Sequence, residues 1–184
     1  ALGKIKGVRA IEEMIARQDI EGLIRALEYQ DGDVRKAAAE ALDKLGWKPA
    51  QDQAAAWYWI AKREWAKCLE IGMPAVEPLN TILRDADDDL RNEIVAQVES
   101  SDTRIWLAYY PLCFCGQKMG PIKHIPGTNS YMTLTCTSCG RSYSCAEEKD
   151  SITISILATP VGWSGPVERR YSKSEVYVEV IYRQ

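Results

Sequence analysis

Cys113 and Cys115, then Cys136 and Cys139, form two short knuckles about twenty residues apart in a chain of 184 residues. Thiolates offered in pairs from two turns suit a tetrahedral, sulfur-preferring ion such as Zn2+. Each knuckle ends in glycine, Cys115-Gly116 and Cys139-Gly140. A residue without a Cβ lets the turn close and brings backbone N–H groups towards the sulfurs. Four thiolates leave no position for a reactive water, so the implied ion is structural, one per chain. The first knuckle, Cys113-Phe114-Cys115, is one residue shorter than Cys136-Thr137-Ser138-Cys139, which leaves Cys145 and His124 as substitutes for Cys113. Iron is chemically possible with the same sulfurs; the shortened knuckle and polar neighbours favour zinc.

Disulfides are the competing use of cysteine. Five of the six lie between 113 and 145, and no charged-then-apolar leader opens the sequence. Metal thiolates in a reducing cytoplasm are therefore expected. A first residue of Ala instead of Met implies processing or a longer natural chain. No apolar run approaches the roughly 18–20 residues that span a bilayer. Catalytic sets are missing from the sequence: it has no Gly-rich phosphate loop and no Gly-x-Ser-x-Gly elbow, and its one histidine excludes most histidine triads and zinc-hydrolase sites. No enzyme, no small-molecule substrate and no membrane partner is expected.

The elements that must carry these knuckles divide at about residue 106. Residues 1–106 hold 15 Lys/Arg against 20 Asp/Glu, whereas 107–184 hold 8 against 6, so the acidic first half is a poor non-specific nucleic-acid binder. That half also repeats itself. At an offset of 56, Glu21 falls on Glu77, Leu23 on Leu79, Leu27 on Leu83, Asp31 on Asp87, Asp33 on Asp89 and Arg35 on Arg91. At an offset of 45, Ile15-Ala16-Arg17-Gln18-Asp19 echoes Ile60-Ala61-Lys62-Arg63-Glu64. Periods of this size mark stacked helical arrays.

Val34, Ala37, Ala38, Ala41, Leu42 and Leu45 make one apolar helical stripe, with Asp33 as its N-cap and Gly46 as its stop. Asp19 caps the preceding helix, Asp87–Asp89 caps the helix carrying Leu90, Ile94, Val95 and Val98, and a helical pair is expected over 52–70. Arg35 and Arg91 are expected to pair with turn aspartates of neighbouring repeats. Cys68 reads as a buried small hydrophobe, and Trp47, Trp57, Trp59, Trp65 and Trp106 as packing residues.

Residues 33–42 (Asp-Val-Arg-Lys-Ala-Ala-Ala-Glu-Ala-Leu) and 72–79 (Gly-Met-Pro-Ala-Val-Glu-Pro-Leu) resemble HEAT repeats of the short prokaryotic type related to phycobilisome-lyase repeats. The resemblance covers about 8–102 and implies an α-solenoid whose concave face binds another protein. Glu93 and Gln97 depart from it, as a terminal repeat would. The Cys-x-x-Cys-Gly unit at 136–140 matches a zinc-ribbon knuckle, and about 110–146 resembles a zinc ribbon.

The expected fold is thus α+β and multidomain: a HEAT-like α-solenoid over 1–106, then a small antiparallel zinc-ribbon-like β-domain over 107–184. In that β-domain the metal knuckles occupy 113–145 and a C-terminal hairpin 151–183. Met119–Ile125 is expected to pair with Tyr131–Thr135 across a turn at Pro126–Asn129. Ser151–Ile156 and Glu175–Tyr182 alternate and are expected to pair with each other across a loop at 159–166. The first helix and the β-domain are expected to cap the array, self-association through Val8, Ile11 and Ile15 being the alternative.

The function expected is a non-enzymatic protein-binding scaffold with structural zinc on Cys113, Cys115, Cys136 and Cys139. The alternative is nucleic-acid binding by the second half, through Lys118, Lys123, Arg141, Arg169, Arg170 and Lys173 among Phe114, Tyr131, Tyr143, Trp163 and Tyr171. A phycobilin-lyase-like accessory role follows only from the kinship of the repeats, and the sequence marks no chromophore pocket.

Overall fold

The structure, a computed structural model, describes residues 2–123, 130–148, 151–157, 165 and 168–183. Within these residues the chain is mixed α+β, seven α-helices preceding two antiparallel sheets. It divides into two compact units, Ala1–Thr81 and Ile82–Gln184. No described helix is long and apolar enough to cross a membrane.

The helices are α1 (Leu2–Ala16), α2 (Ile20–Ala26), α3 (Gly32–Lys44), α4 (Gln53–Ala61), α5 (Trp65–Glu70), α6 (Val76–Asp85) and α7 (Asp88–Glu99). Caps set their limits. Asp19 accepts from Gly22 N–H at 2.8 Å, Asp52 from Ala55 N–H at 2.9 Å and Asp87 from Leu90 N–H at 2.9 Å, each relieving an orphan donor of the first turn. The cap of α3 is Asp31, not Asp33: its carboxylate takes the N–H groups of Asp33 and Val34. The helix begins two residues earlier than the apolar stripe, because the cap needs an extended backbone and Asp31 has it, at φ −74 and ψ 118.

Three helices end in the same way. After α3, Trp47 N–H bonds Leu42 O and Gly46 N–H bonds Asp43 O, both at 3.0 Å, with Gly46 at φ +74. This is a Schellman motif. After α1, Asp19 N–H meets Met14 O and Gln18 N–H meets Ile15 O; after α4, Glu64 N–H meets Trp59 O and Arg63 N–H meets Ile60 O. Gln18 and Arg63 hold the left-handed position at φ 54 and φ 56. The echo at offset 45 is therefore one corner used twice: a helix stop followed at once by the N-terminal residue flanking the next helix, Asp19 or Glu64.

The core of the first unit collects Ile11, Leu23, Leu27, Val34, Ala38, Leu42, Trp57, Trp65, Cys68 and Leu79. Ile11 is buried there, so it offers no association surface. Arg35 differs from expectation: it donates to the carbonyls of Tyr29 (2.6 Å) and Gln30 (2.7 Å) in the turn between α2 and α3, and among the described residues it makes no ion pair with a more distant aspartate. Arg91 has no ion pair with a turn aspartate among the described residues, and its buried Nε finds no acceptor there.

In the second unit, β1 (Ile105–Tyr110) is central to one sheet. It pairs with β7 (Tyr177–Tyr182) from Ile105↔Tyr182 to Tyr110↔Tyr177, and with the short β2 (Ile122–Lys123). The other sheet is a meander of β3 (Ser130–Thr135), β4 (Ser142–Glu147), β5 (Ser151–Ile156) and β6 (Glu168–Ser172). Two expected pairings are thereby corrected. Segment 119–123 joins β1 instead of β3, and β7 joins β1 instead of β5. Each alternating strand could have paired with several others, and β1, β4 and β6 give it better partners. The turn expected at 126–129 and most of the 159–166 loop lie outside the described residues.

Tyr109, Glu147, Lys173 and Glu99 make a polar knot inside this unit. Lys173 Nζ lies 2.5 Å from Glu147 and 2.7 Å from Glu99, and 4.9 Å over the Tyr109 ring, whose hydroxyl donates to Glu99 at 2.8 Å. Burial first, and then the Glu99 carboxylate, push the Tyr109 hydroxyl far up.

Candidate metal centre

Two loops carry the four cysteines. The first leaves β1 and returns: Leu112 bridges Lys118, Met119 N–H bonds Pro111 O at 2.9 Å, and Cys113 N–H bonds Gln117 O at 2.8 Å. The second joins β3 to β4, with Cys136 N–H on Arg141 O at 2.9 Å. Inside each, a glycine closes the turn: Gly116 N–H on Cys113 O and Gly140 N–H on Cys136 O. Gly116 sits at φ +86 and Gly140 at φ +70, yet a Cβ on either would meet nothing within 4 Å. Glycine is demanded by the backbone angle, not by crowding.

The loops bring Cys113, Cys115, Cys136 and Cys139 together, every sulfur within 4.8 Å of the others. Sγ separations are 3.3 Å for Cys113–Cys115, 3.5 Å for Cys113–Cys139 and 3.7 Å for Cys115–Cys136. A disulfide needs sulfurs about 2.05 Å apart, and all six cysteines are free. A tetrahedral ion with bonds of about 2.3 Å places sulfurs about 3.8 Å apart, close to what is seen. The four residues therefore fit a metal ion. Each knuckle offers one buried sulfur (Cys113, Cys136) and one exposed (Cys115, Cys139).

Local groups already favour thiolate. The Cys139 N–H, helped by that of Ser138, holds the Cys136 thiol down to about 6 against the opposing cost of burial. The fully buried Tyr143 places its hydroxyl 3.0 Å from Cys113 Sγ. Burial first, then the Cys113 sulfur, push that hydroxyl up to about 12, while the Phe114 N–H pulls it the other way.

Cys145, a substitute ligand in the sequence, lies outside the cluster. It is a buried core residue on β4 beside Tyr143 and Glu147, with a thiol pushed up to about 11 by desolvation. Cys68 is likewise pushed up to about 12 by burial. His124 lies outside the described residues.

The surroundings of the short knuckle are what sequence reasoning missed. Phe114 packs edge-on against Tyr143 at 5.7 Å, and Arg169 of β6 lies 4.8 Å over Phe114. Arg169 also donates to the Tyr171 hydroxyl (3.1 Å), which donates to Leu112 O (2.9 Å). The available signal was the alternation Ser142-Tyr143-Ser144-Cys145, which makes a strand leave the second knuckle with Tyr143 facing inward.

Several groups expected on a nucleic-acid surface are engaged elsewhere. Tyr143, Tyr171 and Lys173 point inward, and Arg170 bonds Glu148 at 2.7 Å and Ser151 at 2.9 Å. Trp163 lies outside the described residues. Comparison with protein-family models, with curated proteins and with solved structures finds no match to this chain.

Proposed function

We propose that this protein is a non-enzymatic, protein-binding scaffold whose β unit is organised by one structural zinc ion on Cys113, Cys115, Cys136 and Cys139. The observation that carries the reading is the closeness of four sulfurs at tetrahedral-edge separations on two glycine-closed turns. An ion held by four thiolates keeps no site for water, so its contribution is to folding. Zinc suits the site better than iron because it brings no redox chemistry to two half-exposed knuckles.

On this reading the helical part supplies the protein-binding surface, as the HEAT resemblance implies. The recurrent corner at Gln18 and Arg63 and the matching caps at Asp31 and Asp87 support a repeating array. Elemental analysis of the isolated protein tests the centre. The expectation is one zinc per chain, with loss of β-unit hydrogen-exchange protection on chelation; metal-free protein of unchanged protection would end it.

The second reading, nucleic-acid binding by the β unit, rests on the exposed Lys118, Lys123 and Arg169 and on Tyr131, which is 71% exposed. It requires retention on single-stranded RNA or DNA that falls steeply between 50 and 200 mM salt.

A further inference from the structure

The two knuckles differ in length, and the sulfur environments differ with them. In the shorter one, Cys113 Sγ accepts from the Cys115 N–H at 3.5 Å and lies 3.3 Å from Cys115 Sγ and 3.5 Å from Cys139 Sγ. A buried thiolate is stabilised by each hydrogen-bond donor aimed at it. Tyr143 offers a further donor, its hydroxyl 3.0 Å from that sulfur and its side chain fully buried. A thiolate has no proton to give, so in this contact the phenol O–H donates to the sulfur. Phe114 packs edge-on against the ring, and Arg169 in turn lies over Phe114.

We infer that Tyr143 is a positioning residue of the metal centre: its O–H···S bond adds a side-chain donor to the buried sulfur of the shortened knuckle and so makes Cys113 a competent ligand. The inference rests on the metal-binding reading above. It predicts that the tyrosine acts on the electronic state of one sulfur and not only on packing. Hydrogen bonds of this kind, made to a ligand and not to the ion, are worth about 10–100-fold in metal affinity.

The test uses the full chain loaded with Co2+, whose thiolate-to-metal absorption reports sulfur electron density, and Zn2+ affinity measured against a chromophoric chelator. Tyr143→Phe keeps the ring and its contact with Phe114. It is expected to bind Zn2+ about 10–100-fold more weakly and to move the charge-transfer band to lower energy. Tyr171→Phe, which removes a neighbouring buried hydroxyl bonded to the Leu112 carbonyl, is expected to leave the band where it is. Incorporation of 3-fluorotyrosine, a more acidic donor, should move the band to higher energy in the wild-type chain and not in Tyr143→Phe; this arm decides the matter if the phenylalanine variant folds poorly. An unshifted band in both experiments overturns the inference. A wild-type chain that gives no thiolate-to-cobalt band overturns the metal reading itself, a result that cannot be confused with the first.

Discussion

Replacing Lys173 by Met removes one cation and leaves two carboxylates. The arms of the network differ in environment. Glu147 is 1% exposed at its side chain and meets the ammonium at 2.5 Å, whereas Glu99 is 28% exposed and meets it at 2.7 Å. The Glu99 arm is partly screened and is worth about 1 kcal/mol or less. The Glu147 arm dominates, because a buried charge that loses its counter-ion costs about 3–5 kcal/mol. A net loss of about 4 kcal/mol is expected for Lys173→Met. With a urea slope of about 2 kcal/mol per molar, the midpoint falls by about 2 M. Pulse-labelling hydrogen exchange across a urea series reads β1 and β4 peptides separately from the helices, so the loss is assigned to the β unit. The double variant Lys173→Met with Glu147→Gln removes both buried charges and should recover about half of the loss or more. A single-variant loss below about 1 kcal/mol, or losses that simply add in the double variant, would refute a buried, coupled pair.

Further outcomes follow from the same geometry. Burial raises the Cys68 thiol from its ordinary 9.0 to about 12, so folding keeps it neutral while the unfolded chain ionises. Its stabilisation is complete below pH 9 and is lost as pH rises towards 12, at about 1.4 kcal/mol per pH unit. Alkaline denaturation of Cys68→Ala should be shallower by one proton over that window, and an unchanged slope would contradict the burial. Gln18→Gly and Arg63→Gly relieve left-handed backbone at φ 54 and φ 56, and thermal melts should show each neutral to about 1 kcal/mol more stable. Gly116→Ala and Gly140→Ala have space for a methyl but the wrong angle. Each should weaken metal binding by about 1–2 kcal/mol, with Asn in place of Ala recovering part, measured by chelator competition.

What the sequence disclosed and what it hid follow from the range of the forces involved. The four cysteines, the closing glycines, the caps at Asp19 and Asp87 and the stop at Gly46 are decided within about six residues of chain, and each was legible as such. The Asp31 cap was misplaced by two residues because two aspartates compete for one turn and only backbone angle chooses between them. Strand pairing failed for a different reason. An alternating strand declares which residues face inward but not which partner it meets, and β7 could satisfy its Val178 and Val180 against any complementary face. Polar alternation hid β4 altogether: Ser142, Ser144 and Ala146 face outward, while the inward set of Tyr143, Cys145 and Glu147 does not look like a core until Lys173 and Cys113 are found opposite them. The same strand explains why Cys145 was a plausible ligand and is not one. It lies on the inward face with Tyr143, but its sulfur bonds back to the Tyr143 carbonyl of its own strand while the tyrosine hydroxyl reaches the cluster. A shortened knuckle looked like a defect in Cys113; once β4 is in place, a further donor to its sulfur is found on the strand that the longer knuckle begins.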